Sequence, residues 1–376
     1  MKLVSIVGAR PQFIKIAPLA RSLERRDGTA RELIENILVH TGQHYDATMS
    51  DIFFEELKIP RAAFNLGVGS GSHARQTGEM LVKIEEVLLD VRPHMVVTYG
   101  DTNSTVAGAL AAVKLNIPVA HVEAGVRSFN RCMPEEINRV VADHISDLLL
   151  APTVTAMKNL AREGLSGKAI LTGDVMYDAV LINRELAERG SDILERLTLE
   201  TGSYGVVTVH RAENTDDEEQ LKELLTAVNE IAKSGLRLIF PIHPRTAKLL
   251  SSKSERWLPN PKLHVIQPVG YLDMLRLVSH ARVVLTDSGG LQKEAFFLGC
   301  PCITLREETE WVETVHAEGN ILTGVKASNI REAVLTWESR FGVGNASFST
   351  KANGLFGDGL AAEKIRDALL AFRQSI

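Results

Sequence analysis

Short runs of aliphatic and β-branched residues recur along this chain, and each ends abruptly in glycine or a polar side chain. Ile6-Val7-Gly8 leads to Ala9-Arg10-Pro11, Met95-Val96-Val97-Thr98-Tyr99 to Gly100-Asp101-Thr102, and Val119-Ala120-His121-Val122 to Glu123. Further on, Val206-Val207-Thr208-Val209 leads to His210-Arg211, Leu238-Ile239-Phe240-Pro241-Ile242 to His243, and Val283-Val284-Leu285-Thr286 to Asp287-Ser288-Gly289-Gly290. Strands buried on both faces of a parallel sheet read as such continuous apolar runs, and helical patterns between them make βα units. In open α/β sheets ligands bind just beyond the carboxyl ends of the strands. The polar residues are therefore collected where chemistry is done, as in an enzyme rather than a scaffold.

At 376 residues the chain exceeds what one hydrophobic core usually supports, so two α/β domains are expected. The pattern predicts strands at 2–8, 36–41, 95–100, 117–123, 148–151 and 169–173, with helices at 11–26, 46–57, 73–90, 103–115, 134–147, 153–163 and 176–189. The alternation then repeats, with strands near 205–209, 237–242, 263–268, 282–286, 302–305 and 320–322 and helices at 217–234, 245–250, 271–280, 289–298 and 328–341. We expect an N-terminal Rossmann-like domain over 1–190 that carries the carboxylates, and a C-terminal one over 191–358 that binds the nucleotide. A last helix within 359–376 is expected to pack back toward the first domain. Two such halves would face each other across a cleft, an architecture suited to a nucleotide-linked substrate gripped by both.

A formal net charge of −5, with no Lys/Arg block beyond Arg25-Arg26, argues against nucleic acid or a membrane surface as partner. No apolar stretch approaches the roughly 20 residues needed to cross a bilayer. Leu3 to Val7 is too short for a signal-peptide core, so the expected location is the cytoplasm. The cysteines Cys132, Cys300 and Cys302 are odd in number and lack metal spacing, which points to a reducing compartment, no disulfide framework and no metal site. Cys300 and Cys302, at the start of an apolar run, are expected in the core.

The strongest local signal is Asp287-Ser288-Gly289-Gly290-Leu291-Gln292-Lys293-Glu294. Ser288 can cap a helix that starts directly after a buried strand, and two glycines let backbone N–H groups approach an anion at its positive end. Glu294, two turns further on, could accept hydrogen bonds from a ribose; a plain capped helix with a solvent-facing Glu is the alternative. In the first βα turn, Pro11 suits the first helical position and aims Arg10, with Lys15 a turn on, at a phosphate or carboxylate. Asp101 and Glu123 end neighbouring strands, and Glu135 opens a helix one turn before Arg139, so that those two would face the same way. An ordinary i,i+4 salt bridge would also account for Glu135. Crowded carboxylates push their pKa values apart and so supply both an acid and a base near neutral pH. His210, Arg211 and His243 end strands too, where histidines are more often structural. The loop Gly67-Val68-Gly69-Ser70-Gly71-Ser72 nearly spells a dinucleotide fingerprint, but it lacks the last glycine and the first-turn position, which argues against NAD.

On these motifs, namely Gly8-Ala9-Arg10-Pro11-Gln12-Phe13-Ile14-Lys15, Gly100-Asp101-Thr102, His121-Val122-Glu123-Ala124-Gly125, Pro134-Glu135-Glu136-Ile137-Asn138-Arg139, Val209-His210-Arg211 and the segment 287–294, the chain resembles the non-hydrolysing UDP-N-acetylglucosamine 2-epimerases over essentially its full length. The resemblance implies a GT-B type fold and reversible conversion of UDP-GlcNAc to UDP-ManNAc without an external cofactor. In the family, UDP is eliminated to leave a bound 2-acetamidoglucal and is then added back. By position, Asp101, Glu123 and Glu135 would be the acid/base groups, and His210 would assist the departing diphosphate. Arg10 and Ser288-Gly289-Gly290 would hold that diphosphate, Glu294 the ribose and Arg139 the sugar region.

Two departures bear on substrate. Thr309-Glu310-Trp311-Val312 has Trp-Val where many members have Arg-Pro, a form also found in relatives acting on UDP-2,3-diacetamido-2,3-dideoxy-uronic acids, so such a substrate is an alternative. Tyr45-Asp46 follows Gln43-His44, where many bacterial members carry a basic and then a polar residue in a loop that binds a second, activating UDP-GlcNAc. Gln43, His44, Arg75, Gln76, Arg211 and His243 remain a candidate effector pocket. The expected partners are a UDP-sugar and a second copy of the chain, a homodimer. A GT-B glycosyltransferase is the rival from another class.

Overall fold

The structure, a computed structural model, describes residues 1–24, 34–43, 56–252, 259–341 and 354–375. The helix expected at 46–57 lies, but for its last two residues, outside them. The chain divides into two compact units, Met1–Ala179 with Gly354–Ile376, and Val180–Asn353. The division falls within the helix Val175–Gly190, whose last residue is the boundary taken from sequence.

In the first unit the described strands are β1 (Lys2–Val7), β2 (Glu35–His40), β3 (Phe64–Asn65), β4 (Met95–Tyr99), β5 (Val119–Val122), β6 (Leu148–Ala151) and β7 (Ala169–Leu171). They pair in parallel in the order β3-β2-β1-β4-β5-β6-β7. Every residue of β4, β5 and β6 is buried, which is why these strands show continuous apolar character rather than alternation. The two-residue β3 was not expected, because so short a strand has no period to read. The helix Asn103–Lys114 starts in a Thr102/Thr105 capping box and packs between the helices His73–Val91 and Pro134–Ile145. Val4, Ile6, Val39, Met80, Ile84 and Val96 form the core on that side.

The helix Ala361–Ser375 packs on Arg10–Glu24. Its start is tied down where Ala362 N donates to Asp178 Oδ2 at 2.7 Å and Asp174 N to Phe356 O at 2.8 Å. Burial pushes the Asp178 carboxyl up to about 6, against the pull of the Ala362 and Ala361 backbone donors.

The second unit holds β8 (Tyr204–Thr208), β9 (Arg237–Pro241), β10 (Leu263–Ile266), β11 (Val283–Thr286), β12 (Cys302–Thr304) and β13 (Asn320–Leu322), parallel in the order β10-β9-β8-β11-β12-β13. Val206, Ile239, Val284, Leu291 and Cys302 pack together in its core. Cys300 and Cys302 are buried as expected; burial pushes both thiols up, Cys302 to about 12, so neither supplies a thiolate near neutral pH. The one-turn helices Ile193–Arg196, Ala212–Thr215 and Val312–His316 went unforeseen, being too short to show a 3.6-residue period.

Both units are Rossmann-like, the α/β class read from the sequence. In each sheet the strand order reverses at one place, between β1 and β4 in the first unit and between β8 and β11 in the second. Such switch points open a crevice at the carboxyl edge. Among the described residues no helix is long and apolar enough to cross a membrane.

Candidate active site

The switch point of the first unit is built around Gln12. Its Oε1 accepts from Gly8 N at 2.7 Å and Ala9 N at 3.1 Å, and its Nε2 donates to Tyr99 O at 2.8 Å and Thr105 Oγ1 at 3.1 Å. One fully buried amide thus joins the turn after β1, which carries Arg10, to the turn after β4, which carries Asp101. Gln12 stands inside the motif of residues 8–15, where nothing local in the sequence marks it for this bracing role.

Lys15 Nζ lies 2.6 Å from Glu123 Oε1, both side chains almost wholly buried. Placed by sequence among substrate-binding groups, Lys15 is here the partner of a carboxylate. Gly100 makes room for this pair: its φ is +63°, and a Cβ there would come within 2.7 Å of Lys15 Nζ. Gly100→Ala should therefore destabilise the fold by about 1–2 kcal/mol from the left-handed backbone alone, more if the ammonium has to move. Urea unfolding of the variant measures this, and an unchanged midpoint would contradict the stated cause. Glu123 itself adopts φ +74°, a conformation that costs a non-glycine residue about 1–3 kcal/mol and persists only when neighbours over-determine it.

Glu135 and Arg139 do not pair as an i,i+4 couple, so the alternative account of Glu135 as an ordinary salt-bridge acid falls among the described residues. Arg139 NH2 bonds Asp101 Oδ2, and its NH1 donates to Glu136 Oε2 at 2.8 Å. Glu136 also accepts from Ser128 N, Ser128 Oγ and Phe129 N, each at 2.9 Å. A buried arginine satisfies two carboxylates better than one, and the i,i+3 neighbour together with a strand-end acid supplies both. Among the described residues the half-buried Glu135 carboxylate makes no hydrogen bond or ion pair. It sits just after Pro134 at the helix N-terminus, where negative charge is favoured.

In the second unit Asp287 is the hub. Fully buried, it accepts from His210 N at 3.0 Å, Arg211 N at 2.9 Å and Asn214 Nδ2 at 3.1 Å, and His210 Nδ1 lies 3.1 Å from its Oδ1. Burial drives this carboxyl up. The charge and hydrogen bond of the His210 ring, with the Arg211 and His210 backbone donors, outweigh that and hold it below the usual carboxylate range. The dyad fixes the His210 ring through Nδ1, and the His243 ring stands 5.5 Å away, centroid to centroid.

The helix Gly289–Phe297 begins as expected: Ser288 Oγ accepts from Leu291 N at 3.3 Å. Neither glycine is demanded by the protein. Neither lies at positive φ, and a Cβ on Gly289 or Gly290 would meet only ordinary contacts, at 3.6 Å or beyond, to Trp311, Glu310 and Ser288. Around this helix start Glu310 takes Arg306 NH1 at 2.9 Å and lies 3.6 Å from Arg211 NH2, while Lys293 Nζ stacks 3.6 Å over the Trp311 ring. Glu294 is buried in the same helix.

Of the candidate effector residues, Gln43 Oε1 accepts from Ser104 Oγ at 2.7 Å. Gln76 Nε2 donates to Gly69 O at 2.7 Å, and its Oε1 accepts from Asn103 at 2.8 Å. Arg75 pairs on the surface with Glu79 at 2.9 Å. Gln43 and Gln76 thus brace the start of the helix Asn103–Lys114. His44, Tyr45 and Asp46 lie outside the described residues. The Gly-rich loop 67–72 follows β3 and leads into the helix His73–Val91, so it does not form the first βα turn. Among the described residues no group of three or more His, Cys, Asp or Glu could hold a metal ion.

Two Rossmann-like units, one with carboxylates at its strand ends and the other with a glycine-opened helix beside a His–Asp pair, define an enzyme of the GT-B class. Residues 26–370 match the family described as UDP-N-acetylglucosamine 2-epimerase, and the chain belongs to that family of isomerases. It is 52% identical over 357 residues to the UDP-N-acetylglucosamine 2-epimerase homolog of Methanococcus maripaludis, covering 92% of this chain and 97% of that one. It is 47% identical over 339 residues to the UDP-2,3-diacetamido-2,3-dideoxy-D-glucuronate 2-epimerase of Pseudomonas aeruginosa, covering 89% and 92%. The crystal structure of Methanocaldococcus jannaschii UDP-GlcNAc 2-epimerase in complex with UDP-GlcNAc and UDP is similar over 99% of this chain and 100% of that one, with 43% identity and a TM-score of 0.88.

Proposed function

We propose that this protein interconverts UDP-GlcNAc and UDP-ManNAc by eliminating UDP and adding it back. The reading is carried by the family match together with the M. jannaschii enzyme, whose structure holds both UDP-GlcNAc and UDP. The hydrogen on carbon 2 is not flanked by a ketone, so direct abstraction would leave an unstabilised carbanion. Breaking the bond from carbon 1 to the diphosphate oxygen as that proton leaves gives a neutral 2-acetamidoglucal and UDP. Reprotonation from the opposite face and return of UDP complete the inversion, with no redox change and no external cofactor. Asp101, Glu123 and Glu135 exchange the proton. Arg10 and the Ser288-Gly289-Gly290 helix start hold the diphosphate, and His210, braced by Asp287, supports its departure. Glu294 takes the ribose and Arg139 the sugar region. The glycines support this assignment, since a Cβ at either would meet only ordinary contacts and neither backbone lies at positive φ, so their lack of a side chain leaves the backbone N–H groups open to an anion.

Epimerisation in heavy water followed by NMR at carbon 1 should place deuterium at carbon 2 of both sugars. Product without label excludes the route, and stoichiometric free UDP points to a glycosyltransferase or a hydrolysing enzyme instead. The Pseudomonas relative and the Glu310-Trp311 pair beside Gly289 favour a second reading, a UDP-2,3-diacetamido-2,3-dideoxy-uronic acid as substrate; the kcat/KM ratio for the two sugars decides between them. The protein is read as a cytoplasmic homodimer. Its three free cysteines are consistent with that compartment, and the exposed Val82 and Leu89, seven residues apart on one helix, offer a face for a second copy. Activation by a second UDP-GlcNAc at Gln43, His44, Arg75, Gln76, Arg211 and His243 would appear as sigmoidal rate curves.

A further inference from the structure

His121 lies on β5, a strand otherwise filled by Val119, Ala120 and Val122 and buried throughout. Packing alone would place an apolar residue there, because a buried ion pair stabilises little compared with a well-packed apolar replacement. Both of its ring nitrogens are engaged: Nε2 lies 2.7 Å from Gly100 O, and Nδ1 lies 2.7 Å from Asp143 Oδ1. Nε2 therefore carries a proton, because a carbonyl can only accept. The other Asp143 oxygen accepts from Gly125 N at 3.0 Å and lies 2.7 Å from Arg127 NH1. Arg127 is held in turn by Glu163 at 2.7 and 2.8 Å. Burial drives the Asp143 carboxyl up, and His121, Arg127 and the Gly125 backbone together outweigh that and hold it low.

The ends of this chain of contacts are not random. Gly100 immediately precedes Asp101, and Gly125 stands two residues after Glu123, whose backbone is held at φ +74°. We propose that the buried His121–Asp143 pair is a clamp that fixes the backbones bearing Asp101 and Glu123 relative to each other, so that both are positioning residues for the reaction. The clamp touches no substrate, and the proposal rests on the epimerase reading above.

The test uses the geometry of the imidazole. An asparagine places its amide nitrogen near the Nδ1 position and a glutamine near the Nε2 position. His121→Asn therefore keeps the Asp143 contact and loses Gly100, while His121→Gln does the reverse. Misplacing a reacting group by about 1 Å can cost about 100-fold in rate. We expect His121→Asn and His121→Gln each to lose about 100-fold in kcat with KM within about threefold, because each cuts the clamp at one of its two contacts. Either variant within about threefold of the unchanged protein in kcat overturns the clamp. Should the histidine variants fail to fold, Asp143→Ala removes the acceptor of Gly125 N and so frees Gly125 from the other end. A large loss of kcat with UDP affinity retained by calorimetry then supports the clamp, and unchanged kcat overturns it. Unchanged protein that leaves UDP-GlcNAc untouched in the same assay brings down the epimerase reading itself, and with it this proposal.

Discussion

Glu135→Gln lowers kcat by about 10²–10⁴-fold, the usual worth of a positioned proton-transfer group, while KM and the melting temperature stay close to those of the unchanged protein. Among the described residues the Glu135 carboxylate has no internal partner, so the amide deletes a titratable group without orphaning a buried charge. Glu123→Gln is a poorer probe of chemistry: it would strand Lys15, whose ammonium is buried beside it at 2.6 Å, and so mix a stability loss with a rate loss. The measurement is steady-state epimerisation by NMR with a thermal melt on the same sample. A Glu135→Gln enzyme within about threefold of normal kcat would remove Glu135 from the acid/base set.

Asp287→Ala should be the most destabilising change among those considered, costing about 3–5 kcal/mol, because it leaves several buried donors without their common acceptor. The effect carries a pH signature. The folded carboxyl is held below its ordinary value of 3.8. Its contribution is therefore fully present above that value and is lost as pH falls through the lower folded value. Urea unfolding at neutral pH should show the full difference between variant and unchanged protein, and the gap should narrow as the solution becomes strongly acidic. A gap that widens with acid would reverse the sign of the linkage. Losing Asp287 also frees the His210 ring, so activity should fall even where the variant remains folded.

The polar residues at the carboxyl edge were legible from sequence wherever a strand ends. Glu123, His210, His243 and Ser288 all follow runs whose apolar continuity could be read directly, and the structure places each just past a parallel strand. The helix start at Gly289 was legible for the same local reason, a Ser cap followed by glycines. Partnership was not. Lys15 meets Glu123 across 108 residues, His210 meets Asp287 across 77, and His121 meets Asp143 across 22. The salt bridge that local spacing offers as an alternative, Glu135 with Arg139, gives way to Glu136 and to Asp101, the latter 38 residues distant. Asp287 and Gln12 lie inside the motifs, yet their bracing roles are not legible there, since nothing in a linear string says that a side chain points back into the protein to hold a turn.

Local rules of periodicity, capping and backbone preference act over a few residues, and they determined the longer strands and helices, the glycine-opened helix start and the list of polar residues at the carboxyl edge. Which of those polar groups are spent on one another was decided by the tertiary structure. Burial makes an unpartnered charge costly, so each buried acid or base takes whatever complementary group the sheet order brings beside it. The strand order 3-2-1-4 in each unit sets β1 against β4 and β8 against β11. That adjacency, invisible along the chain, joins Gln12 to Tyr99 and His210 to Asp287 and leaves Glu135 without an internal partner among the described residues.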